Sequence, residues 1–64
     1  MKVNGEIVTL TEPVSLKDFL EKSGYTTGRI AVERNGDIVP KKTYDSVILT
    51  EADTLEIVHF VGGG

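Results

Sequence analysis

Three consecutive glycines, Gly62, Gly63 and Gly64, close the sequence, and the carboxylate they carry is its most useful chemical group. Glycine has no side chain to pack and loses the most conformational entropy on ordering, so this run adds nothing to a core. Its value lies in reach. A tail without Cβ atoms can enter a narrow cleft in extended form and be held there through its own N–H and C=O groups. The carboxylate at its tip is inert as it stands, an ionised anion with an unperturbed pKa of about 3.5. It must be activated before a nucleophile can attack it. Adenylation by ATP on a partner enzyme is the usual route, and glycine would let Gly64 be threaded to the nucleotide without steric conflict. Three glycines alone also read as a frayed end, and the residues before them decide between the two.

Other chemistry is sparse. Cysteine is absent, which removes disulfides, thiolate nucleophiles and thiolate metal sites. His59 is the single histidine, with no orienting carboxylate near it in sequence, so it reads as a rim residue rather than a general base. With scattered carboxylates and no second histidine, no metal site is expected. Ser15, Ser23 and Ser46 lack a partner base and sit at cap or loop positions. Lys41 and Lys42 form a small basic spot that could steer a partner but suits a solvated loop better. The two Asn-Gly pairs are too sparse in glycine to cradle phosphate.

The tail is positioned by the strand it follows. Leu55 to Val61 alternates, with Leu55, Ile57, His59 and Val61 on one face and Thr54, Glu56, Val58 and Phe60 on the other. Its first half is apolar inward and polar outward. In its second half Val58 and Phe60 fall on the face that should meet water, which makes them a docking patch unless the Lys41 to Ser46 loop covers them.

The elements before it follow from local signals. Asn4-Gly5 predicts a type I′ turn joining Met1–Val3 to Glu6–Leu10, with Met1, Val3, Val8 and Leu10 on the core face. After the break at Thr11 to Pro13, Ser15 predicts a helix N-cap with Asp18 completing a capping box, and Val14 and Phe19 take the staple positions. Leu16, Phe19 and Leu20 form the apolar stripe, and Gly24 fits the left-handed residue after the helix. So short a helix needs a sheet beneath it. Tyr25 to Arg29 reads as a loop. Asn35-Gly36 predicts a second hairpin, Ile30–Arg34 with Asp37–Val39, pairing Arg34 with Asp37 and Val32 with Val39 and ending at Pro40. Lys41 to Ser46 reads as irregular and exposed, with Tyr44 anchored on the core rim. Val47 to Leu49 reads as a short strand or turn, and Thr50 to Asp53 as a polar turn.

Two hairpins on one helix need a central strand, and the last strand supplies it. The expectation is an α+β fold, a ubiquitin-like β-grasp: a mixed sheet of four to five strands on one main helix. Residues 1–61 form the domain and 62–64 a flexible glycine tail. At 64 residues there is one domain and no room for a deep active-site cavity. A net charge of −3 argues against nucleic acid and for basic protein surfaces, although solubility alone also explains it. The amino end resembles neither a signal peptide nor a membrane span, so a cytoplasmic protein, monomeric when free, is expected.

The full chain resembles the sulfur carriers of the β-grasp superfamily, most closely the ThiS family of thiamine thiazole synthesis. The resemblance is carried by Val32-Glu33-Arg34-Asn35, by Ile38-Val39-Pro40, and by the closing run from Glu56 to Gly64. It implies a protein substrate rather than an enzyme, with no stably bound cofactor. Gly64 would be adenylated, with ATP and Mg²⁺, by an E1-like (ThiF-like) adenylyltransferase and converted by a persulfide sulfur donor to a thiocarboxylate. A ThiG-like thiazole synthase would accept the sulfur. Gly62 and Gly63 would be the threaded approach, and Val58, Phe60 and Val61 the docking surface. Gly62 stands where some relatives carry a small side chain. The small subunit of molybdopterin synthase, a ubiquitin-like modifier and a plain interaction domain are the alternatives.

Overall fold

Both Asn-Gly pairs turn the chain where their spacing predicts. In the computed structural model, which describes residues 1–60, Asn4 and Gly5 have φ of 51° and 84°, and Asn35 and Gly36 have 52° and 90°. These are the left-handed values that a two-residue I′ turn requires. The first turn joins β1 (Lys2–Val3) to β2 (Glu6–Ile7), with Val3 opposite Glu6 and Lys2 opposite Ile7. The Val8 N–H extends the ladder to the Met1 carbonyl at 2.8 Å. The second arm is shorter than expected: by Leu10 the backbone N–H donates to Glu51 Oε1 at 2.8 Å instead of to β1.

Next come β3 (Val14–Ser15) and the helix α1 (Leu16–Lys22). Ser15 Oγ accepts from the Asp18 N–H at 3.1 Å, so the cap forms through this arm of the expected box. The N–H groups of Leu16 and Lys17, which have no partner within a helix, donate to the carbonyls of Val47 and Tyr44 at 2.8 and 2.9 Å. At the other end Gly24 has φ of 84°, its N–H bonds the Glu21 carbonyl, and the Tyr25 N–H bonds the Leu20 carbonyl. That pair of bonds closes the helix in a Schellman motif. Leu16 and Leu20 are wholly buried and Phe19 is half-buried. At about 2 kcal/mol for each buried leucine, this stripe supplies what seven residues of helix lack alone.

A single 3-10 turn, Thr27–Arg29, stands where a loop was expected and leads into β4 (Ile30–Arg34). The second Asn-Gly turn returns the chain as β5 (Asp37–Ile38), pairing Arg34 with Asp37, and the Val39 N–H reaches the Val32 carbonyl at 2.9 Å. Lys41 to Ser46 is less irregular than its composition suggests. It opens as a 3-10 turn over Lys41–Thr43 and buries Tyr44 in the core beside the helix start. β6 (Ile48–Leu49) then pairs with β3 in a separate two-stranded sheet, Val14 opposite Leu49 and Ser15 opposite Ile48.

The last strand, β7 (Thr54–His59), lies in the middle of the five-stranded sheet, whose order is β2-β1-β7-β4-β5. It runs parallel to β1 and antiparallel to β4. A helix laid across a mixed sheet whose central strand is the last is the β-grasp fold expected from the sequence. Ile30, Val32, Leu49 and Leu55 join Leu16 and Leu20 as wholly buried core side chains, all between the sheet and α1.

Candidate functional site at the end of the central strand

Backbone ladders hold β7 on both sides, and two side chains extend them. Asn4 occupies the left-handed turn of the first hairpin, and from there its amide faces β7 as a strand residue would. Asn4 Oδ1 accepts from the Ile57 N–H at 2.7 Å, and Asn4 Nδ2 donates to the Ile57 carbonyl at 3.2 Å. Its own N–H bonds the Leu55 carbonyl at 2.9 Å. Asn35, in the other turn, does the same on the opposite edge: its N–H donates to the Thr54 carbonyl and its Oδ1 accepts from the Thr54 N–H, at 2.8 and 2.9 Å. The sequence marks both asparagines as turn formers; their second role needs the central strand in place and has no local pattern.

Below them a polar knot fixes the entrance to β7. Asp53, 5 % exposed, accepts from Arg34 Nη2 at 3.1 Å, Asn35 Nδ2 at 3.0 Å and the Thr50 N–H at 2.8 Å. Burial alone would raise its pKa, but these hydrogen bonds and the charge of Arg34 outweigh it and hold the carboxyl below its ordinary range. Glu51, in the same turn, pairs with the Met1 ammonium at 2.7 Å. Hydrogen bonds from that ammonium and from the Leu10 N–H lower its pKa as well.

The far end of β7 is where the chemistry is expected. Leu55 and Ile57 point into the core, and the Phe60 N–H continues the ladder to the Arg29 carbonyl at 2.8 Å. His59 is exposed and lies against Tyr25, ring centroids 5.5 Å apart, which suits the rim role. Val58 and Phe60 are 57 % and 51 % exposed, so the Lys41 to Ser46 segment does not cover them. It contributes one cation at the edge: Lys41 Nζ stands 5.4 Å from the centre of the Phe60 ring. Lys41 also lines an open cleft with Lys17, Lys42 and Asp45, so the basic spot read from the sequence gains a third lysine and a carboxylate beside it. The remaining expected site residues, Val61, Gly62, Gly63 and Gly64, lie outside the described residues.

Among the described residues no three His, Cys, Asp or Glu side chains gather as metal ligands, and no helix is long and apolar enough to cross a membrane. The arrangement offers a firmly held strand end with apolar side chains facing outward beside it.

Comparison with known proteins agrees with this geometry. The chain is 37 % identical over 65 residues to the sulfur carrier protein ThiS of Bacillus subtilis, covering 100 % of this chain and 98 % of that one. It is 40 % identical over 62 residues to a thiazole synthase of Magnetococcus marinus, covering 97 % of this chain but only 19 % of that protein, so it spans about a fifth of that relative's length. The crystal structure of a thiamine biosynthesis protein, ThiS, from Geobacter metallireducens superposes with a TM-score of 0.83 at 26 % identity, covering 98 % of this chain and 96 % of that one. With the ThiS family matching residues 1–64 in full, the chain belongs to the ThiS family.

Proposed function

We propose that the chain is a sulfur carrier for thiamine thiazole synthesis, a protein cosubstrate whose reacting group is the carboxylate of Gly64. The observation that carries the reading is the placement of β7: the strand that leads to the glycines is the central one, hydrogen-bonded to both neighbours and clamped by Asn4 and Asn35. The names of the B. subtilis and G. metallireducens relatives support the pathway. In this reading residues 1–61 are the body that partners recognise and residues 62–64 the segment they thread.

An E1-like adenylyltransferase supplies ATP and Mg²⁺. The Gly64 carboxylate oxygen attacks the α-phosphorus and pyrophosphate leaves, giving an acyl adenylate. The outer sulfur of a persulfide donor attacks the acyl carbon and expels AMP. A thiol then takes the inner sulfur of the acyl disulfide, leaving a thiocarboxylate on Gly64 and a disulfide on the donor side. Sulfur held as an acyl group cannot diffuse away, and the folded body addresses it to the thiazole synthase. The M. marinus relative, a thiazole synthase in which a segment like this chain makes up 19 % of the protein, supports that partnership. Val58 and Phe60, with Val61, form the surface on which these partners dock. This chemistry needs no cofactor bound to the carrier and runs in the cytoplasm.

Intact-mass measurement of the protein recovered from cells tests the proposal. A species with one oxygen replaced by sulfur at Gly64, lost when Gly63 and Gly64 are deleted, is the expected result. An isopeptide-linked adduct would instead indicate a modifier. Rescue of molybdenum-cofactor rather than thiamine auxotrophy would move the chain to the other carrier pathway.

A further inference from the structure

The outward face of the five-stranded sheet has an unusual centre. Glu33 on β4 and Glu56 on β7 are register partners, so their side chains leave the same face from directly opposed positions. At such positions Cβ atoms lie about 5 Å apart, and like charges there are destabilising. No ion pair among the described residues reaches either carboxylate: the two that form join Met1 to Glu51 and Arg34 to Asp53. Apolar groups flank the pair on two sides, with Thr54 and its register partner Lys2 in the row toward the entrance of β7. Ile38, 65 % exposed, stands opposite Glu33 on the β5 side. Val58, 57 % exposed, and its register partner Ala31 form the next row toward the end of β7.

We infer that this face is the seat for an arginine carried on an apolar ridge of a partner protein, its guanidinium held between the carboxylates of Glu33 and Glu56. The inference rests on the carrier reading and specifies the chemistry of its docking surface. Two carboxylates on adjacent strands match a planar, always charged fork that can bond to both, and Ile38 and Val58 cover its methylenes. A lysine would satisfy one carboxylate at a time. The mutual repulsion of the pair is present in the free domain and relieved only in the complex, so the same two charges weaken the monomer and favour association. The pair sits one row back from Val58 on β7, so a partner that engages it also meets the outward apolar end of that strand.

The test pairs two measurements on the full-length chain: its melting temperature, and its affinity for the adenylyltransferase of the same organism, titrated at low and moderate salt. Glu33→Gln and Glu56→Gln each remove the repulsion without changing shape. Each should raise the melting temperature by about 2–4 °C and weaken binding by about tenfold or more. Val58→Ser is the control for docking on this face. Binding lost with Val58→Ser but kept in both glutamine variants refutes the arginine seat and leaves the docking surface standing. Lower melting temperatures in the glutamine variants refute it too, because the pair would then be stabilising the fold. A wild-type chain that does not bind the adenylyltransferase refutes the seat together with the carrier reading.

Discussion

Replacing Asn4 by glycine removes a single amide and leaves the turn able to keep its left-handed backbone, so the loss measures what that amide contributes to β7. Two hydrogen bonds disappear, to the N–H and C=O of Ile57. At about 1 kcal/mol net for each, the fold loses about 2 kcal/mol. Glycine adds unfolded-state entropy of up to about 1 kcal/mol, offset by about the same relief of positive φ at a non-glycine residue. Ile57 is 5 % exposed, which restricts water as a replacement partner. A domain of this size has about 3–10 kcal/mol in total, so the change is a large part of it. Thermal unfolding followed by circular dichroism should show a fall of about 10 °C, and hydrogen exchange should show the Ile57 amide losing about thirtyfold in protection. Asn4→Asp, which keeps the acceptor but sets a carboxylate against the Ile57 carbonyl, should do no better. An Asn4→Gly protein melting within about 2 °C of wild type, with Ile57 protection unchanged, would refute the view that this side chain works as an added strand.

Two further outcomes follow from the polar and buried groups. Because the folded pKa of Asp53 lies below its unfolded value of 3.8, its contribution is full above that value and is lost as pH falls through the lower folded pKa. Melting temperature should therefore hold from neutral pH down to about 5 and drop steeply below about 4, and Asp53→Asn should lower the plateau and flatten the acid limb; an unchanged acid limb would refute the knot. The Tyr44 hydroxyl is buried with no hydrogen-bond partner, and burial raises its pKa against a smaller lowering by the Val32 backbone. Tyr44→Phe should leave stability unchanged or slightly higher in denaturant titrations, and a loss of more than about 1 kcal/mol would show a real bond to Val32.

What the sequence made legible was what neighbours in the chain decide among themselves. Asn-Gly needs no distant partner to turn, Ser15, just ahead of α1, caps it through the N–H of Asp18, and Gly24 ends it, so both hairpins and α1 fall where their residues place them. The alternation of Leu55 to Phe60 likewise showed that Val58 and Phe60 face outward. The β3–β6 sheet was not legible as a pair: two residues show no period, and Val14–Ser15 becomes a strand only when Ile48–Leu49 arrives beside it. Lys41 to Ser46 looked like an exposed loop because its lysines dominate the composition, yet the carbonyl of Tyr44 completes the helix start. The clamps made by Asn4 and Asn35 were hidden for another reason: each residue already had a sufficient local explanation as a turn former.

The parallel pairing of β1 with β7 fixes the polarity of the whole body. Lys2 lies beside Thr54, at the entrance of the last strand, so the amino end and Phe60 sit at opposite poles, about 20 Å apart along six residues of strand. A tag, an anchoring surface or a fused domain attached ahead of Met1 would project from the pole away from Phe60 and leave the end of β7 open to large partners. The Met1 ammonium that meets Glu51 would be consumed in such a linkage, so fused versions should be functional in docking yet somewhat easier to melt.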